Sequence, residues 1–259
     1  MKRQVKKEAQ EEKILSCASP DTDPFPNMEK TMNRTIWILI AILAVAWPAS
    51  GWGQTLPLDE VLGKIQDQYE KNADFKADFG QEAIIKSLGK KQQAEGIVYF
   101  KKPGKMHWMY SKPTKQQIIS DGKNLWNYQP ENKQVIVTRV AQAFQSKTPS
   151  TFLAGLGNLK KDFQARFVKD PAPGSNYALE LTPLEMQGGV EKLFLLADPK
   201  SFHILQAKIQ DAMGNTTQIS FSKIAFNNNL ADSLFTFTPP KGVEVFTMPG
   251  ASPAGGSEK

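Results

Sequence analysis

Two histidines, one cysteine and a lysine-rich aromatic hairpin are where this chain could do chemistry. His107 and His203 lie far apart, and neither has the carboxylate and hydroxyl pattern of a nucleophilic triad around it. His107 falls between Met106 and Trp108 in a strand-like stretch, so it points to the opposite face from them and reads as a half-exposed structural histidine. No HExxH, CxxC, GxSxG or phosphate-loop motif occurs. No catalytic set, metal or cofactor is expected. Cys17 sits in ILSCAS, but KKEAQEEK precedes it where a lipid-attachment site needs an apolar run.

The hairpin at 99–113, YFKKPGKMHWMYSKP, crowds rings and ammonium groups into fifteen residues. It could carry a nucleic acid on stacked rings and cations, line an apolar cavity, or form a plain core with a solvated turn. Strand parity separates its parts. Phe100, Met106, Trp108 and Tyr110 share one face with Val98, and most of the lysines go to solvent at the turn. Lys102 has the parity of Val98 and Phe100, which puts one ammonium at the rim of the apolar face. Phe75, Ala77 and Phe79 on an earlier strand, and Trp126 and Tyr128 on a later one, extend the same inward rows. The mixture of rings with Gly96, Ala77 and Met106 suits adaptable packing around a cavity more than a rigidly filled core.

The elements that position these residues follow from the hydrophobic period. LDEVLGKIQDQYEK at 58–71 places Leu58, Val61, Leu62, Ile65 and Tyr69 on one helical face, with Asp59 and Glu60 in the first turn. The period then changes to two. Strands are expected at 74–86, 93–101, 105–111, 115–120, 123–129 and 133–140, joined by Pro103-Gly104, Asp121-Gly122 and Pro130-Glu131-Asn132 turns, which makes a meander. Residues 141–161 break the alternation. Thr148 and Pro149 can start a short helix there with Phe152, Leu153 and Leu156 on one face before Gly157 ends it. Strands resume near 163–169, 175–183, 190–197, 202–211 and 215–226, and ADSLFTFTPPKGVEVF closes the fold. About eleven strands without strand-helix-strand alternation imply one mainly β domain: an open, strongly curved antiparallel barrel covered by short helices.

The N-terminus bears on compartment. IWILIAILAVAW at 36–47 is an uncharged apolar run of twelve, with Lys30 and Arg34 before it and small residues after it, the pattern of a secretory signal peptide. Residues 1–27 are expected to lie upstream of the true start and to be disordered, 28–53 to form the signal peptide, 54–249 the domain and 250–259 a disordered tail. Without residues 1–53, which hold seven Lys/Arg and six Asp/Glu, the chain keeps 25 basic against 20 acidic side chains and no cysteine. That spread-out balance and the expected export argue against a nucleic-acid partner and exclude a thiol nucleophile.

Several blocks in order then carry a resemblance: FKADFGQ at 75–81, GIVYFKKPGKMHWMY at 96–110, SDGKNLWNYQP at 120–130, TPSTFL at 148–153 and LFTFTPPKGVEV at 234–245. With the signal peptide and the amphipathic helix, the chain resembles the periplasmic outer-membrane lipoprotein carrier family LolA over nearly all of its exported length. The resemblance implies a non-enzymatic periplasmic chaperone, acting as a monomer. It would take triacylated lipoproteins from an inner-membrane ATP-binding cassette transporter, shield their acyl chains in the barrel and pass them to an outer-membrane acceptor. Phe75, Phe79, Val98, Phe100, Met106, Trp108, Tyr110, Trp126 and Tyr128 would line the cavity, and Phe152, Leu153 and Leu156 would form the lid. Family members commonly have arginine where Lys102 stands, bonded to the lid as a latch, and lysine offers a point charge instead of a planar fork. The other reading on the same fold is a lipid-binding acceptor or a lipoprotein-sensing module. An acceptor would need a lipidated cysteine after the signal peptide, which this chain lacks.

Overall fold

The computed structural model describes residues 55–143, 158–185, 189–249 and 251. Its first element, helix α1 (Leu58–Lys71), starts at Pro57, whose carbonyl accepts from the amides of Glu60 and Val61, both at 3.0 Å. Asp59 and Glu60 near the N-terminus and Lys71 at the C-terminus complement the helix dipole. Val61, Leu62, Ile65 and Tyr69 are buried, so the apolar stripe is the contact face.

Twelve strands follow in one sheet: β1 (Asp74–Ile85), β2 (Lys90–Lys101), β3 (Lys105–Lys112), β4 (Gln116–Asp121), β5 (Asn124–Gln129), β6 (Gln134–Arg139), β7 (Phe163–Phe167), β8 (Tyr177–Pro183), β9 (Val190–Ala197), β10 (Ile204–Asp211), β11 (Thr216–Phe226) and β12 (Glu244–Thr247). Two four-residue helices, α2 (Val140–Ala143) and α3 (Leu159–Asp162), flank the interruption between β6 and β7. Asn158 caps α3 by accepting from the Lys160 and Lys161 amides at 3.1 and 3.0 Å. The expected helix at 148–157, with Phe152, Leu153 and Leu156, lies outside the described residues, as do the expected signal peptide and everything before it.

The order across the sheet is β12-β6-β5-β4-β3-β2-β1-β11-β10-β9-β8-β7. Two hairpin-connected meanders thus meet where β1 pairs with β11, and β12 and β7 remain as separate edges. The expected open, curved antiparallel sheet is the fold found, with one strand more than the alternation indicated. That strand, β12, lies parallel to β6, Glu244 opposite Gln134 and Thr247 opposite Val137. Its four residues are too short to show a period, so only the pairing reveals it.

One hydrophobic cluster joins α1 to the inward rows of both meanders. It holds Phe75, Ala77, Val98, Phe100, Met106 and Trp108 from one half, and Leu179, Leu181, Leu193, Leu195, Ile219 and Phe221 from the other. The helix therefore lies along the apolar face of the sheet, where its own stripe finds apolar partners.

Candidate functional site: the apolar inner face of the sheet

Continuous hydrogen-bonded registers carry the inner face across β1 to β5. Phe75 pairs with Phe100, Phe100 with Met106, Met106 with Ser120 and Ser120 with Leu125. A second row runs Ala77, Val98, Trp108, Ile118, and a third Phe79, Gly96, Tyr110, Gln116. Cross-strand neighbours share a face, so these rows make one surface. Its rings interlock: Phe75 stacks on Phe100 at 4.8 Å between centroids, Phe79 meets Trp108 edge-on at 4.8 Å and Tyr110 at 5.0 Å, and Phe100 meets Trp108 at 5.8 Å. Phe75, Phe79, Val98, Phe100, Met106 and Trp108 are each at most 4 % exposed, and Tyr110 is half-buried.

Gly96 plays a different part from the loose packing expected of it. A Cβ at this position would stand 1.9 Å from the Met109 carbonyl oxygen and 2.9 Å from the Phe79 ring. Glycine is what lets β3 bulge in and the phenylalanine lie across the strand.

Trp126 and Tyr128 are not on this surface. Ser120 opposes Leu125, so Leu125 continues the inner row, while Trp126 opposes Ile119 and, one strand further, His107. Trp126 packs on the reverse face in a separate cluster with Ile119, Val135 and Val137, under Phe237. Tyr128 lies 5.2 Å from the same Phe237 ring. The reason is parity. Counting along β5 alone cannot tell which of Leu125 or Trp126 continues the inner row, because a shift of one residue exchanges the faces.

The two ends of the apolar face differ. At one end Tyr69 packs edge-on against Phe75 at 5.8 Å and Phe226 at 5.5 Å, and its hydroxyl accepts from the Ile204 amide at 3.0 Å. Burial pushes the Tyr69 phenol far above its ordinary range. Lys102 closes the same corner. Its Nζ donates to the Glu70 carbonyl in the last turn of α1, and its own amide donates to the Ala73 carbonyl at 3.0 Å. Partial burial holds the Lys102 ammonium below its usual range, with Glu70 opposing that effect. The space left among Tyr69, Phe75, Phe100, Lys102 and Phe226 is about 10 Å³, the size of a single water. The other end is polar: the Tyr110 hydroxyl donates to Gln81 at 3.0 Å, and a 510 Å³ cavity opens among Gln81, Gln92, Tyr110, Thr114 and Gln116.

Two further expectations about the hairpin change. Lys101 and Lys105 are not left to solvent: both ammoniums reach the Asp232 carboxylate, at 2.7 and 3.0 Å, and Lys101 also donates to the Leu230 carbonyl. Those two bonds hold the Asp232 carboxyl below its usual range. His107 is buried instead of half-exposed, with Nδ1 2.8 Å from the Leu234 carbonyl oxygen and Nε2 3.0 Å from the Gln117 side chain. Burial lowers its pKa, against the raising effect of both bonds. The C-terminal segment is thereby tied to the reverse face of the hairpin, a partnership across more than 120 residues that no local pattern announces.

Sequence reasoning also missed the opposite wall, Tyr177, Leu179, Leu181, Leu193, Leu195 and Phe221, all buried. The signal lies in the alternation of YALEL and KLFLLA, carried mainly by aliphatic side chains and not by rings. Among the described residues no group of three or more His, Cys, Asp or Glu side chains is placed to hold a metal.

A curled, open antiparallel sheet with a continuous apolar inner face under an amphipathic helix defines a class of β-fold proteins built around a hydrophobic trough. Within it, the chain belongs to the LolA family, "Outer membrane lipoprotein carrier protein LolA", whose model matches residues 70–238. It is 31% identical over 219 residues to an outer-membrane lipoprotein carrier protein of Dechloromonas aromatica, covering 84% of this chain and 96% of that one. A carrier protein of Nitrosomonas europaea is 34% identical over 66% of this chain and 81% of its own. Among solved structures, a LolA superfamily protein from Nitrosomonas europaea overlaps with a TM-score of 0.41 at 16% identity, over 71% of this chain and 99% of that one.

Proposed function

We propose that this protein is a periplasmic carrier of triacylated lipoproteins. It would receive them from a releasing ATP-binding cassette transporter of the inner membrane and give them up to an acceptor at the outer membrane. The role is binding and transfer, not catalysis, and the carrier works as a monomer. The observation that carries this reading is the continuous apolar inner face, reached from a polar-lined opening and stoppered at the far end by Tyr69 and Lys102. The names of the relatives support it. Export follows from the apolar run and small residues within 28–53.

The physics fits such a job. Moving an acyl chain of about sixteen carbons out of water is worth on the order of ten kcal/mol at roughly 0.8 kcal/mol per methylene. Phe75, Phe79, Val98, Phe100, Met106, Trp108 and Tyr110 are the side chains assigned to that contact. In the free protein they are already covered by α1 and by one another, so cargo must displace apolar contacts before making its own. That requirement lowers net affinity and keeps release possible. Phe152, Leu153 and Leu156 are assigned, on their pattern alone, to a displaceable cover at the mouth. Native mass spectrometry of the protein from the periplasm tests the reading. One-to-one complexes with triacylated lipoproteins are expected, and consistent recovery of small soluble ligands in their place would overturn it.

A further inference from the structure

The turns at the polar end of the sheet expose apolar side chains that the trough does not use. The β1–β2 turn carries Leu88, 63 % exposed, and the β10–β11 turn carries Met213, 82 % exposed. With Ile84, and Leu184 where β8 ends, these are four of the nine large apolar side chains exposed among the described residues. All four lie at one end of the sheet, because β1, β8 and β10 finish where β2, β9 and β11 begin.

The two turns are built against each other. The Asn215 side chain accepts from the Lys86 amide at 3.0 Å, and the Lys86 side chain lies over Gly214, where a Cβ would be 2.9 Å from its Cδ. Gly214 and Gly89 take φ of +78° and +60°, which lets both turns stay tight while Met213 and Leu88 project. Lysines stand beside the β1–β2 turn, with Glu82, Glu185 and Glu191 at the same end of the sheet. Lys86 and Lys90 are exposed and form no ion pair among the described residues, and Lys91 pairs with Glu82 at 2.7 Å. The Asp211 carboxylate is bonded within its own turn, accepting from the Met213 and Asn215 amides and the Asn215 side chain.

We propose that this rim is a membrane-docking tip, with Leu88 and Met213 dipping among the headgroups of an anionic phospholipid surface while Lys86 and Lys90 meet the phosphates. Projecting single side chains on narrow turns offer little flat area to a folded protein partner, which needs several hundred Å² of complementary surface. A soft interface accepts such side chains one by one, and lysines beside them add attraction to anionic lipid. The proposal deepens the carrier reading and rests on it: the tip lies at the same end of the sheet as the 510 Å³ opening lined by Gln81, Gln92 and Tyr110, so docking would bring that end of the trough to the bilayer.

The test uses the exported protein from the periplasmic fraction, its N-terminus determined by mass so that the apolar run 36–47 is known to be absent. Cosedimentation is measured with vesicles of phosphatidylethanolamine and phosphatidylglycerol, three to one, and with phosphatidylcholine vesicles. Binding to the anionic vesicles that weakens with salt is expected. The Leu88→Ser, Met213→Ser pair should lower partitioning by about tenfold, since interfacial affinity scales with buried apolar area. Lys86→Glu with Lys90→Glu should abolish the preference for phosphatidylglycerol. Thermal melting verifies that these exposed changes leave the fold intact, and native mass spectrometry of cargo complexes reads the carrier function independently. Equal partitioning of wild type and the serine pair, no vesicle binding at any phosphatidylglycerol content, or binding only to membranes that retain their proteins would each overturn the docking tip without touching the carrier reading.

Discussion

Lys102→Met asks whether one ammonium latches α1 over the trough. Methionine keeps the apolar stem and removes the charge, so the Glu70 carbonyl loses its donor while the hairpin keeps its packing. A hydrogen bond from a charged group contributes about 1.5–3 kcal/mol when shielded, and a cation at a helix C-terminus about 0.3–1 kcal/mol. Lys102 is only partly buried, so solvent reduces both. A loss of about 1 kcal/mol is the working figure, equivalent to roughly a fivefold shift in the equilibrium between α1 docked and α1 lifted. Hydrogen exchange resolved by mass spectrometry reads that equilibrium. Protection across 58–71 should fall about fivefold while β1, β2 and β11 keep theirs, and Lys102→Arg should restore most of it. In a transfer assay the Met variant should load and unload cargo faster. An equal loss of protection throughout the sheet would refute the latch, because the lysine would then support global stability alone, and an unchanged α1 would refute the bond's importance altogether.

Further changes follow from the packing and from the buried histidines. Gly96→Ala places a Cβ against the Met109 carbonyl and the Phe79 ring, and should cost at least about 2 kcal/mol in urea denaturation, because backbone must move to admit it. Trp108→Ala should impair lipoprotein binding, whereas Trp126→Ala should leave cargo binding in place while destabilising by about 3–5 kcal/mol as a core truncation; native mass spectrometry and denaturation separate the two. Trp126→Phe should cost far less, since the indole N–H is buried with no hydrogen-bond partner among the described residues. His107 and His203 both have lowered pKa values, mainly through burial, so the folded protein disfavours their charged forms. Such groups stabilise fully above the unfolded histidine value of about 6.5 and lose that contribution as pH falls below it. The urea midpoint should therefore drop between pH 7.5 and 5.5, and His107→Asn should flatten part of the drop; a midpoint that rises on acidification would contradict the assignment.

The order of elements was legible because it rests on local periods. The 3.6-residue stripe of Leu58, Val61, Leu62, Ile65 and Tyr69 and the two-residue alternation from Phe75 onward are properties of neighbouring residues, and backbone geometry converts them directly into a helix and strands. Glycines in turns are equally local: Gly104 and Gly122 have φ of +66° and +94° where the hairpins were expected to reverse. Which rows face inward was legible only as far as register could be counted without error. It held from Phe75 through Trp108, and it failed at Trp126, where one position decides the face.

Contacts between distant segments decided the rest. Asp74 accepts from the amides of Asn228 and Leu230 at 2.7 and 3.1 Å, Lys101 and Lys105 meet on Asp232, and the Lys102 ammonium finds a carbonyl on α1. None of these partners is near in sequence, and a lysine or aspartate has the same local signature whether it meets solvent or a partner from the other end of the chain. The amino-acid order by itself determined that an apolar-faced β-sheet with a helical cover would form. Tertiary structure alone decided which of two alternating faces each ring took, which lysines became fastenings, and where the sheet leaves an opening, because those depend on register and on the closing of long loops.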